Sequence, residues 1–242
     1  MADGAVAEVK ALVFDVFGTV VDWRTSLIDD FAAWGDAHGL RGDWVGLVDA
    51  WRGAYVPSMN EVRTHPERGF VILEELQRRS VKEIAPRFGF ANLNERDIDY
   101  LNMGWRRLKP WPDSVAGLTR LKTRFLIAPL SNGNFALTAN MAKHAGLPWD
   151  VVFGSDLFGH YKPDPEVYRG AARLLRLQPF ELMMVAAHNS DLQAAQALGL
   201  KTAFVARPTE YGPHQSKDFG PEGAWDFVAR DFGDLADQLR CR

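Results

Sequence analysis

Five short apolar runs punctuate the chain: ALVFD at 11–15, FLIAPLS at 125–131, VVFGS at 151–155, LMMVAA at 182–187 and TAFVA at 202–206. Each is nearly continuous in apolar residues rather than alternating. That is the pattern of strands buried on both faces of a parallel sheet. Between the later runs the apolar spacing becomes helical. Pro112, Asp113 and Ser114 start one predicted helix through VAGLTRLKT, and ALTANMAKHAG (136–146) closes on Gly146 as a C-cap. PDPEVYRGAARLLR (163–176) opens on proline and acids, as first turns prefer, and DLQAAQALG (191–199) ends in Gly199. Strand and helix in alternation predict an α/β fold with a doubly wound parallel sheet.

The middle of the chain breaks this alternation. Between residues 23 and 108 no buried strand can be read. Four helices are predicted instead: 26–39, 42–59 stopped near Pro57, 68–89, and 94–108 with Asn94 as N-cap. Residues 1–22 and 109–242 would then form the α/β core. Residues 23–108 would form an all-helical cap inserted after the first strand, over the carboxyl ends of the strands, where such sheets bind ligands.

Composition narrows the class. The 242 residues suffice for one large domain or a core with an appendage, and 47% apolar with 24% charged residues is ordinary for a globular protein. A net charge of -3 with no basic run argues against a nucleic-acid partner. Cys241 is the single cysteine, so an internal disulfide is excluded, and its place beside the last residue suits a nucleophile poorly. The opening MADGAVAEVK has no basic region followed by an apolar stretch, and no run approaches the roughly 20 apolar residues that span a bilayer. The expectation is a soluble, cytoplasmic protein without a membrane partner.

Polar residues gather where the predicted strands end. The first delivers Asp15; the second Ser131 and Asn132 in LSNGN; the loop after the third Lys162 in HYKPDPEVY; the fourth His188, Asn189, Ser190 and Asp191. Taken singly, each has a plainer explanation. A strand-end Asp is often a helix cap, Ser-Asn before glycine is often a turn, a Lys before proline is usually exposed, and a buried His is often only packed. A parallel sheet, however, brings all four ends to one edge, and that convergence points to a site.

The order FDxxGT, LSNG, KP and a small-residue strand ending in a polar box with Asp resembles the haloacid dehalogenase superfamily over nearly the whole chain. Most of that superfamily are magnesium-dependent phosphatases. Those carry a second Asp two residues after the nucleophile, as general acid for an alkoxide leaving group, and an acid in the fourth motif that binds Mg²⁺. Here Phe17 and Ala187 stand at those positions. A halide leaves without a proton, so neither group is needed to displace one. The sequence is therefore similar to the (S)-2-haloacid dehalogenase branch, which implies no metal and no cofactor. A Mg²⁺-dependent phosphatase acting on a small phosphate ester is the alternative, and a non-enzymatic binder of small acids a second one.

The resemblance implies the following roles. Asp15 attacks C2 of a short 2-haloacid, and water hydrolyses the aspartyl ester to a 2-hydroxy acid, with halide as the other product. Lys162 keeps Asp15 ionised. Asp191 orients Lys162 or the water, and Tyr168 matches a tyrosine near the site. Ser131 and Asn132 hold the substrate carboxylate with the backbone N–H groups of Val16 and Phe17. An arginine from the inserted region cradles the halogen; Arg63 is preferred and Arg52 is the second choice. The fourth motif departs from the family: His188 replaces an asparagine and could orient or deprotonate the water, Asn189 is expected at the substrate, and Ser190 replaces a tryptophan. The altered pocket suggests small substrates such as chloroacetate or fluoroacetate. Homodimerisation is compatible with the resemblance, although no residue pattern indicates it. The tryptophans Trp34, Trp44, Trp51 and Trp105 are read as structural; the turn-rich 207–215 segment could close one side of the site, with a structural role the simpler reading.

Overall fold

The computed structural model describes residues 8–242; residues 1–7, and with them most of the N-terminal stretch that lacks a leader pattern, lie outside the described residues. Five strands form one parallel sheet: β1 (Ala11–Phe14), β4 (Leu126–Pro129), β5 (Leu182–Ala186), β6 (Lys201–Val205) and β7 (Phe227–Ala229), in the order β4-β1-β5-β6-β7. β1 and β5 are buried along their whole length, which is why they read as unbroken apolar runs. Two further strands, β2 (Val21–Asp22) and β3 (Lys109–Pro110), pair antiparallel where the chain leaves the sheet and returns to it.

Two strand expectations need correction. VVFGS at 151–155 meets the sheet only as a single bridge from Phe153 to Leu130. Gly154 lies so close to the Phe135 amide that a Cβ there would stand 2.2 Å from it, so the chain turns off the sheet edge at that point. The fifth strand is instead Phe227–Ala229, whose exposed central Val228 and three-residue length leave no period to read.

Every element between β2 and β3 is helical: α1 (Trp23–His38), α2 (Trp44–Gly53), α3 (Tyr55–Thr64), α4 (Leu73–Ile84) and α5 (Glu95–Met103), with short 3₁₀ turns between. α1 starts three residues earlier than its apolar spacing suggested, because Asp22 accepts a hydrogen bond from Thr25 N–H. Asn94 caps α5 as expected, in a reciprocal box with Asp97. The helix expected over 42–59 is two helices that break at Ala54. Pro57 does cause the break, but four residues upstream. It cannot bond the Gly53 carbonyl and its ring would crowd it, so the first helix ends there and Pro57 falls in the first turn of the next.

The remaining helices, α6 (Ser114–Lys122), α7 (Phe135–Ala145), α8 (Pro165–Leu175), α9 (Asn189–Ala197) and α10 (Phe232–Gln238), cover the sheet. Trp105 joins sheet and insert: its ring meets Phe17 edge-on at 5.5 Å, Trp51 at 5.4 Å and Trp23 at 6.3 Å. Among the described residues no helix is long and apolar enough to cross a membrane.

One buried bolt fixes the loops above the sheet. Asp113 does not cap α6 with its side chain. It takes a bidentate pair from Arg207 (2.9 and 2.8 Å) and the Phe232 N–H at the start of α10 (2.8 Å). Arg207 also donates to the Thr19 carbonyl (2.9 Å). It thereby ties the segment after β6 to the loop after β1. Replacing Arg207 by Met keeps its apolar stem but leaves Asp113 unpaired. The expected loss is about 3 kcal/mol, a fall in Tm of roughly 6–12 °C for a chain of this size. Asp113→Ala in the same chain should return part of it, which calorimetry of the two variants checks.

Candidate functional site

The turn after β1 sets the site. Asp15 N–H still bonds the Val185 carbonyl of β5 (3.0 Å), so the carboxylate is held at the sheet edge and only 8% exposed. Gly18 follows at φ +88, a conformation side chains avoid, and a Cβ there would lie 2.1 Å from a Glu210 oxygen. Thr19 then turns back. It donates to Asp15 Oδ2 (2.8 Å) and accepts from Ala187 N–H at the end of β5 (2.9 Å). The backbone N–H groups of Val16 and Phe17 make no hydrogen bond among the described residues, so both are free for a ligand.

Three of the four predicted clusters meet at Asp15. Lys162 Nζ donates to Oδ1 (2.9 Å) and also bonds Asp191. Tyr168 donates its hydroxyl to Asp191 (2.5 Å), so it supports that carboxylate while its side chain also lines the cavity. Asn132 accepts from the Lys162 N–H (2.7 Å) and lines the cavity. Ser131 is buried beneath it, its hydroxyl accepting from Gly133 N–H (3.0 Å), and does not line the cavity.

His188 holds the other face of Asp15. Nδ1 lies 3.0 Å from Asp15 Oδ2, and Nε2 lies 2.8 Å from Glu210 Oε2. Burial would favour the neutral ring, but the Glu210 charge and the Asp15 hydrogen bond outweigh it and push the imidazole up to about 10. At neutral pH it is an imidazolium. It is therefore no base while Asp15 is ionised. Burial would raise Asp15, yet Lys162 and His188 hold it well below the usual carboxylate range. Lys162 is raised, because Asp15 and Asp191 overcome its burial. Asp191 is raised by burial, against the pull of Lys162.

The arginine preference also needs correction. Arg63 is pinned to the Lys162 loop: it donates to the Tyr161 carbonyl (3.0 Å) and the Lys162 carbonyl and pairs with Asp164 (3.0 Å). It forms part of the cavity wall, but its charge is committed to that loop. Arg52 lies inside. Its guanidinium sits over the rings of Tyr55 (4.2 Å) and Trp23 (5.1 Å), and its buried Nη1 has no partner in the protein. Arg52 closes the last turn of α2 and lines the same cavity as Asp15. Asn189 is likewise not at the substrate position. Its side chain bonds Asp218, Gly220, Glu222 and Trp225, fastening the loop before β7.

Sequence reasoning missed Glu210, Tyr55 and Trp23. Glu210 is 1% exposed in the segment read as a structural turn, with no periodicity to mark it. The cavity, about 690 Å³, is lined by Trp23 and Tyr55 with Asp15, Phe17, Arg52, Met59, Ser190, Lys217 and Asp218, and Glu210 lies behind this wall against Trp23 and His188. Among the described residues no group of three or more His, Cys, Asp or Glu is arranged to hold a metal ion. The arrangement offers an ionised carboxylate, a cation in the same cavity wall with one guanidinium nitrogen free, and an imidazole whose charge depends on that carboxylate.

A family model described as haloacid dehalogenase-like hydrolase matches residues 9–199. The crystal structure of the L-2-haloacid dehalogenase PA0810 is 51% identical, with a TM-score of 0.92, covering 96% of this chain and 99% of that one. That of the defluorinating L-2-haloacid dehalogenase Rha0230 is 48% identical, also at 0.92, covering 96% of each. (S)-2-haloacid dehalogenase 1 of Pseudomonas sp. (strain CBS-3) is 29% identical over 84% of this chain and 88% of its own length.

The charged state of His188 can be tested through stability. Its native affinity for the proton is raised, so its contribution is complete below the unfolded imidazole value of about 6.5 and fades as pH climbs to about 10. Wild type should exceed His188→Asn by several degrees in Tm at pH 6, and the gap should close by pH 10. A gap that stays constant with pH would show a neutral ring.

Proposed function

Because the chain belongs to the haloacid dehalogenase-like hydrolases, in their (S)-2-haloacid dehalogenase branch, we propose that it hydrolyses the carbon–halogen bond of short 2-haloacids through an aspartyl ester on Asp15. The observation that carries this is the placement of a buried, ionised Asp15 and of Arg52, whose Nη1 has no partner in the protein, in the wall of one aromatic-lined cavity.

Asp15 Oδ2 takes two donors, Thr19 and His188, whereas Oδ1 takes only Lys162. Oδ1 is the freer oxygen and attacks C2. The C–X bond breaks with its electron pair on the halogen, which leaves as halide towards Arg52. Oδ2 becomes the ester carbonyl oxygen, already facing the Thr19 hydroxyl. The substrate carboxylate meets Asn132 and the free N–H groups of Val16 and Phe17, so C2 is presented to Oδ1 rather than tumbling.

Ester formation removes the charge of Asp15, one of the two anions that hold the proton on His188. The ring releases that proton to solvent. Its Nε2–H stays on Glu210, and bare Nδ1 faces the ester carbon. Water attacks that carbon and gives one proton to Nδ1, which restores the imidazolium; as the intermediate collapses to the Asp15 carboxylate, the second water proton passes to the departing alkoxide oxygen and the 2-hydroxy acid is freed. One proton, one halide and one hydroxy acid leave per haloacid and water consumed. The charge chain thus supplies a base only when an ester exists to be hydrolysed.

A phosphate ester would need a proton for its alkoxide and a cation for its phosphate. The Phe17 ring packs on Trp105 and Tyr55 where the donor would stand, and position 187 brings only a backbone N–H bonded to Thr19. Both features favour halide chemistry without a metal. Fluoride is a poor leaving group and gains most from strong donors. Arg52 Nη1 and the small Ser190 side chain favour fluoroacetate and chloroacetate among the substrates.

Halide release from 2-chloropropionate and haloacetates is expected to persist in EDTA and to fall at least 10³-fold in Asp15→Asn. Single turnover in H₂¹⁸O should place ¹⁸O in the Asp15 peptide, and label only in the hydroxy acid would overturn the ester route. Arg52→Gln should cost roughly 100-fold in kcat/KM. Arg63→Gln should cost clearly less, which reverses the ranking that sequence suggested. Phosphate release with Mg²⁺ and no halide release would sink the whole assignment.

A further inference from the structure

Glu210 faces two ways. One oxygen holds His188 at 2.8 Å. The other accepts from Trp23 Nε1 at 3.0 Å and lies 4.0 Å from Arg52 Nη2. The steps above use only the first. Resting on the aspartyl-ester reading, we propose that Glu210 is a positioning carboxylate that couples the two half-reactions, so that a halide held on Arg52 delays ester hydrolysis until it has left.

The coupling follows from the signs of the charges. Arg52, Glu210, His188 and Asp15 alternate as cation, anion, cation and anion within a buried row. With the cavity empty of halide, Arg52 draws part of the Glu210 field and its own charge repels a proton on His188. A halide on Arg52 cancels that charge, leaving Glu210 committed to His188. The imidazolium then keeps its proton, and no bare Nδ1 exists to take one from water. Two charges separated by one carboxylate inside a protein change proton affinity on the order of tenfold.

The other groups around the ring do not reproduce this effect. Lys162 and Asp191 lie on the far side of Asp15 and bond each other. Asp218 is occupied by the Asn189 N–H and side chain. Lys217 lies over the Tyr211 ring at the cavity mouth, and Asp49 is paired with Arg24. Arg63 is held by Asp164. Arg52 is therefore the cation whose charge a departing halide would alter and which reaches His188 through a shared carboxylate. The position of Glu210 is also fixed from below. Gly18 leaves it room that a Cβ would fill, so it cannot follow one partner without losing the other.

Asp15→Asn gives an uncharged group in place of the nucleophile, as the ester does, and permits the test at equilibrium. The His188 Cε1 resonance of ¹³C-histidine enzyme, identified by its loss in His188→Asn, is titrated with saturating sodium bromide or with sodium methanesulfonate at equal ionic strength. Bromide is expected to raise the midpoint by about one pH unit, and by linkage to bind about tenfold more tightly at low pH than at high pH. Adding Glu210→Gln should at least halve the shift, whereas Glu210→Asp should keep most of it. In the wild-type enzyme, bromide should slow ester decay several-fold at pH 7 and lose that effect at high pH. A midpoint unmoved by bound bromide, or a full shift retained in Glu210→Gln, overturns the coupling. Either result with ¹⁸O still entering Asp15 leaves the ester reading in place; absence of that label overturns both.

Discussion

Four buried charges of alternating sign govern this molecule: Lys162, Asp15, His188 and Glu210. None would be tolerated alone at such depth, because an isolated buried charge is either neutralised by titration or expelled. Each is made stable by its neighbours, so none of the four states can be changed without changing the next. A nucleophile must be ionised and also stripped of water, two demands that ordinarily conflict. The row satisfies both by exchanging solvent for fixed counter-charges on either face of Asp15.

The rest of the architecture serves to hold that row in register. The parallel sheet supplies Asp15 and His188 from neighbouring strands, and Asp15 remains in the ladder through its N–H. Arg207 and Asp113 pin the segment that leads to Glu210, and Arg63 pins the loop that carries Lys162. Asn189 anchors the loop beside the cavity mouth. These are polar bolts at the ends of elements, where apolar packing is thin and loops would otherwise move. The apolar counterpart is the Phe17–Trp105 contact, through which the helical insert rests on the turn that follows Asp15.

The legible part of the site was the part tied to strand ends. Asp15, Asn132, Lys162, His188 and Asp191 were found because a parallel sheet converts sequence order into spatial convergence. Residues carried by helices and loops were harder. Arg63 and Arg52 are eleven positions apart on neighbouring helices, and which of them faces inward depends on the break at Ala54. Asn189 stands beside His188 in sequence, yet successive residues at a helix start point in different directions, and it turns to the loop before β7. Glu210 had no local signature, because the groups packed against it come from distant parts of the chain: Gly18, Trp23, Arg52 and His188.

The sequence by itself determined the alternation of strand and helix, the helical interruption after β1, and the loss of the acids at positions 17 and 187, which separates halide from phosphate chemistry. These are local facts, set by apolar period and by side-chain identity. Tertiary structure alone brought Glu210 to His188, set Arg52 in the cavity wall with a free Nη1, and committed Arg63 to the Lys162 loop. Those depend on distances of a few ångströms between residues far apart in the chain, and Coulomb energies in a buried site change steeply over such distances.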